Sequence, residues 1–196
     1  AKVDVISKCF RIINLESEAF KKVQWQPGSK IGIILDGDKR TYTPVSLDTT
    51  AGHLKLLIYL HGKGRGSAWA STAKVSVRCQ FMGPRPSLDF SKVIGPAVLF
   101  GDETSFAVAS TLKTHLGKEA MVKFIFEVSS VDEALVALRS VGIEDALLIE
   151  RQTADGSHLK QVAAEVSKSI SDIKSDNLVL TGCGSSIQTL RAFLTR

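Results

Sequence analysis

Midway along the chain stands the stretch Ala97-Val98-Leu99-Phe100-Gly101-Asp102-Glu103-Thr104, which separates two kinds of sequence pattern. Its four leading apolar residues have the composition of a strand buried on both faces, and the polar residues after them open a helix predicted over about 104–116. Three more such units follow, with strands predicted at 121–126, 146–149 and 178–180 and helices at about 131–140, 158–172 and 185–194. Four consecutive β-α units predict a parallel sheet covered by helices, as in small nucleotide-binding domains.

Upstream of this region the apolar stretches are short and partly alternating. They fall at 3–6, 30–35, 54–60 and 75–81, and clusters of turn residues at 26–29, 36–39 and 48–52 separate them. Short strands at hairpin spacing are typical of an antiparallel barrel or sandwich. Because the pattern changes between Gly83 and Pro96, we expect two domains, 1–95 and 96–196.

The composition excludes several classes of protein. With 196 residues, 44% of them apolar and 23% charged, the chain can bury a core and is not disordered. Cys9, Cys79 and Cys183 are too few and too scattered for a disulfide framework, a zinc site or an iron-sulfur cluster, so redox chemistry would need an organic cofactor. No apolar run approaches the roughly 20 residues of a spanning helix, and charges stand near the first residues, where a signal peptide would be apolar. We therefore expect a cytoplasmic protein without membrane insertion.

The net charge of +5 is unevenly divided along the chain. Residues 1–95 carry 15 Lys and Arg against 7 Asp and Glu, whereas residues 96–196 carry 10 against 13. A basic half joined to a mildly acidic half suggests a part that faces anions, although an uneven solvated surface has the same signature. Nucleic acid is not an expected partner, because the basic residues are dispersed and only 7% of the residues are aromatic.

The first candidate binding motif is Arg40-Thr41-Tyr42-Thr43-Pro44, in the basic half. On a strand, Arg40 and Tyr42 point to one face, and Thr41 and Thr43 point to the other. A cation beside an aromatic ring can hold a phosphate and a flat ring, or it can be an ordinary exposed pair.

The second motif is His61-Gly62-Lys63-Gly64-Arg65-Gly66-Ser67-Ala68-Trp69-Ala70, which follows a predicted strand and opens a short helix predicted to reach Lys74. Its alternate glycines let the backbone approach a ligand closely, and Ser67 is expected to cap the helix. Free amides there, with Lys63 and Arg65, favour phosphate binding. The spacing matches neither the dinucleotide fingerprint nor the P-loop, so a flexible connection with a capping serine is the alternative.

The third motif is a pair of loops, 101–105 and 181–186, at the carboxyl ends of the first and last predicted parallel strands. Ligands of open α/β sheets bind at that edge, and both loops lead into helix N-termini. Either loop can also be a helix cap without a ligand. Cys183 stands between Gly182 and Gly184, whose small size leaves its sulfur accessible, while a buried unreactive thiol is the other interpretation.

The order of these motifs resembles the ferredoxin-NADP reductase superfamily over almost the whole chain. Within it, Tyr42-Thr43, the segment from His61 to Ala70 and above all Gly101-Asp102-Glu103-Thr104 resemble the siderophore-interacting protein family of flavin-dependent ferric-siderophore reductases. The resemblance implies a six-stranded antiparallel barrel that binds FAD, followed by a small parallel-sheet domain that receives NAD(P)H.

The resemblance also implies roles for individual residues. Arg40 would pair with the FAD pyrophosphate, Tyr42 would stack on the isoalloxazine ring, and Thr43 would hydrogen-bond near the reactive N5. A second pyrophosphate contact would come from Gly64, Gly66 and Ser67, with Trp69 bracing the turn, and the nicotinamide would lie near Thr104 and Gly182-Cys183-Gly184. Further cofactor contacts are implied for Thr41, His61, Gly62 and Asp102. Thr43 and Cys183 are the predicted catalytic residues.

The implied reaction moves a hydride from NAD(P)H to FAD and single electrons from the flavin to Fe(III) in a siderophore or other ferric chelate. Val45 stands where the family commonly has a basic residue, and Lys63, Arg65 and Arg85 are the candidates to bind an anionic chelate instead. Two alternatives remain: a reductase of a protein carrier or free flavin, and a flavin-binding module without turnover.

The choice between NADH and NADPH is also open at this point. Ser129 and Ser130, after the second parallel strand, suit a 2′-phosphate, whereas Glu127 suits a ribose diol.

Overall fold

The computed structural model describes residues 2–75, 77–152 and 156–195. Among these residues the first part of the chain forms seven strands: β1 (Lys2–Val5), β2 (Phe10–Glu16), β3 (Lys30–Leu35), β4 (Asp38–Tyr42), β5 (Ser46–Asp48), β6 (His53–Tyr59) and β7 (Gln80–Arg85). An α-helix, α1 (Arg65–Thr72), lies between β6 and β7, and short 3-10 helices occupy Glu18–Lys22 and Phe90–Lys92.

These strands form two antiparallel sheets, in the orders β1-β2-β6-β5 and β4-β3-β7. Strands β2 and β6 pair along their full lengths, from Phe10 opposite Tyr59 to Glu16 opposite His53. Because side chains alternate along a strand, β6 points Leu54, Leu56 and Ile58 into a core shared with β3 and points Leu57 to its other face. The sheet that contains β2 and β6 is therefore apolar on both faces.

The second part of the chain alternates strands and helices: β8 (Ala97–Gly101), α2 (Phe106–Leu116), β9 (Val122–Val128), α3 (Val131–Ser140), β10 (Leu147–Glu150), α4 (His158–Ile173), β11 (Asn177–Leu180) and α5 (Gly184–Leu194). Its strands pair in parallel in the order β10-β9-β8-β11. The predicted fold class, antiparallel sheets followed by a parallel sheet, is confirmed. Within the described residues, no helix combines the length and the apolar character needed to cross a bilayer.

Several predicted boundaries need correction. The strand predicted at 75–81 begins only at Gln80, because Val75 and Val77 are apolar residues on the surface, 59% and 58% exposed. Strands β2 and β5 were missed, and the described antiparallel part has seven strands where six were predicted. Glu127 and Val128 are the last residues of β9 rather than the start of a loop.

Aromatic packing joins the two parts of the chain. Phe10 of β2 points away from the antiparallel core, and its ring stacks on Phe106 of α2 with 5.5 Å between ring centroids. Phe106 in turn meets Phe126 of β9 edge-on at 4.8 Å. One apolar core thus contains residues from both sides of Gly95, and the division into domains 1–95 and 96–196 stays a prediction.

We expect Phe10→Ala to lower the free energy of unfolding by about 3–5 kcal/mol, because it leaves a cavity where the two parts meet. Phe10 is 1% exposed, so little of that cavity can fill with solvent. Urea titration followed by circular dichroism measures the change. Phe193→Ala, the same substitution at a partly buried site on α5, is the matched control. A loss at Phe10 no larger than that at Phe193 would contradict this account of the core.

Candidate functional site

A groove of about 500 Å³ lies where the antiparallel sheets meet the parallel sheet. Its walls come from β4, β6, the start of α1 and the turns after β8 and β11. The predicted site residues that line it are Arg40, Thr41, Tyr42, Thr43, His61, Gly64, Arg65, Gly66, Ser67, Thr104 and Gly182. Residues from the antiparallel and the parallel part of the chain are thus brought together. The volume of the groove is in the range of ordinary ligand sites.

Other predicted residues lie outside the lining of the groove. These are Gly62, Lys63, Trp69, Arg85, Asp102, Cys183 and Gly184. Sequence reasoning in turn missed lining residues that carry no recognisable motif: Lys30, Leu57, Ile58, Tyr59, Ala107 and Val108. Thr181 also lines the groove and lies in the predicted loop 181–186, although no role was predicted for it. For Tyr59 a signal was present, because it ends the strand that leads into the glycine-rich segment.

Strand β4 contributes the aromatic ring of Tyr42 to the groove lining. Tyr42 pairs with Ile31 across the sheet, and its ring lies 6.4 Å from the ring of Trp69 behind it. Burial raises the pKa of the Tyr42 phenol, against a smaller opposite effect of the Arg40 charge. The phenol therefore stays protonated at neutral pH, and Tyr42 offers a neutral ring edge and a hydroxyl donor.

Two guanidinium groups stand side by side at one end of the groove. One carboxylate oxygen of Asp38 lies 3.0 Å from the Arg65 guanidinium and 3.6 Å from that of Arg40. Arg65 also donates to the backbone carbonyl of Asp36 at 3.0 Å. One carboxylate thus orients two guanidinium groups, and the three side chains together carry one net positive charge. Such a pair of arginines suits the binding of a phosphate group.

The start of α1 closes that end of the groove. Gly64 is the N-cap, with φ of 83°, and its lack of a side chain leaves the first amides of the helix without a side-chain cap. A methyl group at Gly66 would lie 2.5 Å from the Tyr42 hydroxyl oxygen, so a side chain there would displace that hydroxyl. Ser67 was predicted to cap the helix, but it lies inside α1 and is not its N-cap. Its hydroxyl is buried and lacks a hydrogen-bond partner among the described residues.

The turn after β8 is held by a buried carboxylate. Asp102 accepts hydrogen bonds from the backbone amide of Thr104 at 2.8 Å and from its hydroxyl at 2.5 Å, which presents Thr104 to the groove. A methyl group at Gly182 would lie 2.7 Å from the Asp102 carboxylate, so the turns after β8 and β11 pack directly together. Burial raises the pKa of Asp102 against the opposing effect of these hydrogen bonds.

Cys183 follows these turns at the N-cap of α5. Its thiol is exposed, which agrees with the first of the two interpretations and not with a buried thiol, and its sulfur lies 3.1 Å from the Ser185 hydroxyl. The hydrogen bond from Ser185, followed by the backbone amide of Ser186, lowers the pKa of the thiol. Cys183 is adjacent in sequence to Gly182, which does line the groove.

A largely buried ion pair at the same sheet edge was not predicted. Arg151, after β10, donates to both carboxylate oxygens of Glu103, at 2.9 and 2.8 Å, and to the Ser129 hydroxyl at 2.8 Å. Burial by itself raises the pKa of Glu103, but the hydrogen bonds and charge of Arg151 outweigh burial, and the pKa lies below its ordinary value. Because the carboxyl ends of parallel strands meet at one edge, the strand assignments alone contained a signal for this contact.

Glu127 belongs to the same buried network. Its side chain is 1% exposed and lies 2.7 Å from Nε2 of His158 and 3.9 Å from Arg151. Glu127 is therefore not free to bond a ribose diol, as one interpretation of the sequence expected. Within the described part of the chain, no group of three or more His, Cys, Asp or Glu side chains could hold a metal ion.

The fold of the chain is that of the ferredoxin-NADP reductase superfamily. The siderophore-interacting protein SipS from Aeromonas hydrophila is 16% identical and has a TM-score of 0.73, with 100% of this chain and 82% of that chain covered. A siderophore utilization protein from T. fusca is 19% identical, with a TM-score of 0.74 and coverage of 100% and 84%. Ferredoxin-NADP+ reductase from Plasmodium falciparum is 14% identical, with a TM-score of 0.67 and coverage of 98% and 85%.

Residues 14–88 match the family model of the siderophore-interacting FAD-binding domain. The matched segment contains β3 to β7 and α1, and so it includes the groove wall that carries Arg40, Tyr42 and Ser67. The resemblance drawn from the sequence is confirmed. No match was found among curated proteins.

We expect Arg151→Met to lower the free energy of unfolding by about 3 kcal/mol at neutral pH, because it leaves buried Glu103 without its cation. Since the pKa of Glu103 is lowered in the folded state, the stabilisation by the pair is complete above the pKa of an unfolded Glu, about 4.3. It is lost as the pH falls through the lower folded-state value. Urea titrations from neutral to acid pH measure both effects.

The matched control for this prediction is Arg191→Met, which removes an exposed arginine of α5. The double variant Glu103→Gln/Arg151→Met should recover part of the loss, because it removes the Glu103 charge that Arg151→Met alone leaves unpaired. If Arg151→Met is no less stable than Arg191→Met, the ion pair does not stabilise the turns as described.

Proposed function

We propose that the chain is an FAD-dependent oxidoreductase that takes a hydride from NAD(P)H and reduces Fe(III) in a siderophore or other ferric chelate. The observation that carries the proposal is the groove itself. It brings the paired arginines, the Tyr42 ring and the unpartnered Ser67 hydroxyl of an FAD-binding domain against Thr104 and Gly182 of the parallel sheet edge. Hydride transfer requires the nicotinamide ring and the flavin ring to lie face to face, and a groove between the two parts of the chain would allow this.

The residues at the α1 end of the groove fit a flavin diphosphate. Arg40 and Arg65 supply two cations oriented by Asp38, and the amides after Gly64 supply hydrogen-bond donors. The buried Ser67 hydroxyl lacks the partner that a buried polar group needs, and a phosphate oxygen would satisfy it. The lack of a side chain at Gly66 lets the Tyr42 hydroxyl pack against the first turn of α1, which fixes the ring beside this end of the groove.

The residues beside them fit the flavin ring. Tyr42 would stack on one face of the ring, and Thr43, also in the lining, would donate a hydrogen bond at its edge. When bound, FAD accepts two electrons as hydride and passes them on singly, so one nucleotide reduces two Fe(III) ions. Thr104 and Gly182, on the opposite wall, would receive the nicotinamide, and the adjacent Cys183 thiol would lie close to that site.

The charge of the groove fits an anionic chelate as the acceptor. Its lining contains Lys30, Arg40, Arg65 and His61 and no Asp or Glu among the described residues. Of the three cations suggested for the chelate, Arg65 lines the groove, whereas Lys63 and Arg85 lie outside its lining. Reduction of Fe(III) weakens its bonds to hard oxygen ligands, and iron would be released without any resident metal site.

The test is the visible spectrum of the protein loaded with FAD and desalted. We expect flavin absorbance to remain with the protein, to bleach on anaerobic addition of NADH or NADPH, and to return when a ferric siderophore is added. Absence of retained flavin would contradict the proposal. Bleaching by nucleotide with reoxidation by ferredoxin or free flavin, but not by ferric chelates, would instead identify the reductase of a protein carrier or free flavin. Bleaching by dithionite alone would indicate a flavin-binding module without turnover.

We expect Gly66→Ala to weaken FAD binding roughly tenfold or more, because its methyl group would displace the Tyr42 ring. The clash is with the hydroxyl oxygen, at 2.5 Å, while the ring carbon that bears it lies at 3.7 Å. The double variant Gly66→Ala/Tyr42→Phe should therefore recover much of the affinity, with Tyr42→Phe alone as the control. Titration of FAD by fluorescence measures each dissociation constant, and equal losses in the single and double Gly66 variants would contradict the predicted clash.

A further inference from the structure

The beginning of β3 and the end of β7 place two cations opposite each other at the groove, and the inference drawn from them rests on the proposed function. Lys30 lines the groove and is the Cα partner of Arg85. Neither side chain makes an ion pair or a hydrogen bond with another described residue. Like charges directly opposite on antiparallel strands destabilise the sheet. An anion bound at this cation pair, Lys30 and Arg85, would offset that repulsion.

The cation pair is separate from the two arginines that suit a diphosphate. Arg40 and Arg65 share one carboxylate at the α1 end of the groove. Arg40 pairs with Ile33, which is three residues along β3 from Lys30, or about 10 Å at the ordinary rise of a strand. A flavin that stacks on Tyr42 would therefore have its diphosphate at one end and the cation pair at the other.

A second cavity, of about 550 Å³, adjoins the cation pair. Its lining includes Trp25, Ser29, which precedes the lysine of the pair, and Pro84 and Pro86, which flank Arg85. The Trp25 side chain packs partly against the antiparallel core, so its ring is a fixed aromatic surface. The described lining of this cavity contains no Asp or Glu, as is also true of the groove. The cavity therefore suits the flat organic arm of an anion and does not repel its charge.

We propose that the ferric chelate binds as an anion at Lys30 and Arg85, with an organic arm of the chelate against Trp25 in the second cavity. A negatively charged chelate offsets the repulsion between the two cations, whereas a positively charged chelate adds to it. Acceptors are thus selected by their charge, and the wrong charge is rejected by repulsion. The site lies at the edge of the flavin position, so it leaves the opposite wall of the groove to the nucleotide.

The first experiment measures binding without electron transfer. Gallium(III) has the charge of Fe(III) but is not reduced, and its tris-catecholate complex is a trianion with aromatic arms. Titration calorimetry of the FAD-loaded protein with this complex gives the dissociation constant. We expect Lys30→Gln and Arg85→Gln each to weaken binding roughly fivefold. Lys168→Gln, which removes an exposed lysine of α4, is the matched control and should leave the constant unchanged.

Equal dissociation constants in all four proteins, or no measurable binding to the unaltered protein, would overturn the inference. Because no electron is transferred in this titration, either result leaves the proposed oxidoreductase standing. Failure of the proposed function is recognised separately, by a flavin that is not retained or that no nucleotide bleaches.

The second experiment tests selection by charge. Reoxidation of the reduced flavin is followed by stopped-flow absorbance with ferric tris-catecholate, an anion, and with ferrioxamine B, a cation. Lys30→Gln should lower the second-order rate constant for the anion roughly fivefold and should not lower that for the cation. An equal fall for both chelates, or a loss of FAD affinity in Lys30→Gln, would assign the lysine to the flavin and overturn the inference.

The third experiment tests the second cavity. Trp25→Leu should weaken binding of gallium tris-catecholate about threefold or more, because it removes the aromatic surface. Gallium citrate, an anion without an aromatic arm, should bind this variant and the unaltered protein equally. Circular dichroism checks that the variant is folded. Equal losses for both complexes, or no loss for either, would show that the chelate arm does not lie against Trp25.

Discussion

The stacking of Phe10 on Phe106 is the contact on which the site depends. The groove has one wall in the antiparallel part and one in the parallel part, and neither wall by itself encloses a ligand. Phe10, Ile12 and Leu57 bury the outer face of the β2-β6 pair against α2 and β9, so that the two walls share one apolar core. Tightly packed cores resist small displacements, and the separation between Tyr42 and Thr104 is therefore set by packing rather than by the groups that line the groove.

Polar contacts add orientation to this packing. The Glu103–Arg151 pair ties the turn after β8 to the turn after β10, and Ser129 connects that pair to Tyr59 on the antiparallel side. The Glu133 carboxylate accepts hydrogen bonds from the Ser7 hydroxyl and the Cys9 amide, a second polar contact across the same boundary. These bonds are specific in direction, whereas apolar contact is not. The position of the two walls is thus determined by packing, and their alignment by hydrogen bonds.

The two walls also differ in charge. Arg40 and Arg65 leave the antiparallel wall positive, whereas the lining residues of the parallel wall, Thr104, Ala107, Val108, Thr181 and Gly182, are uncharged. The same asymmetry is visible in the sequence, where residues 1–95 carry 15 basic and 7 acidic residues and residues 96–196 carry 10 and 13. In the structure, the basic excess of the first part corresponds to a groove whose charged lining residues, Lys30, Arg40 and Arg65, all lie on the antiparallel side.

Local patterns in the sequence determined the element types, the parallel and antiparallel classes and the residues of the three motifs, because periodicity and turn chemistry act over a few residues. They could not determine that Ser67 lies inside α1 with its hydroxyl unpartnered, that Gly66 seats the Tyr42 hydroxyl, or that Glu103 pairs with Arg151. The apolar pattern also predicted a strand at Val75 and Val77, which are exposed. Burial depends on which other elements pack against a residue, and a local pattern does not contain that information. Such contacts join residues that are far apart in the chain. Only the tertiary structure decided which of these residues meet, because strand order and core packing are properties of the whole fold.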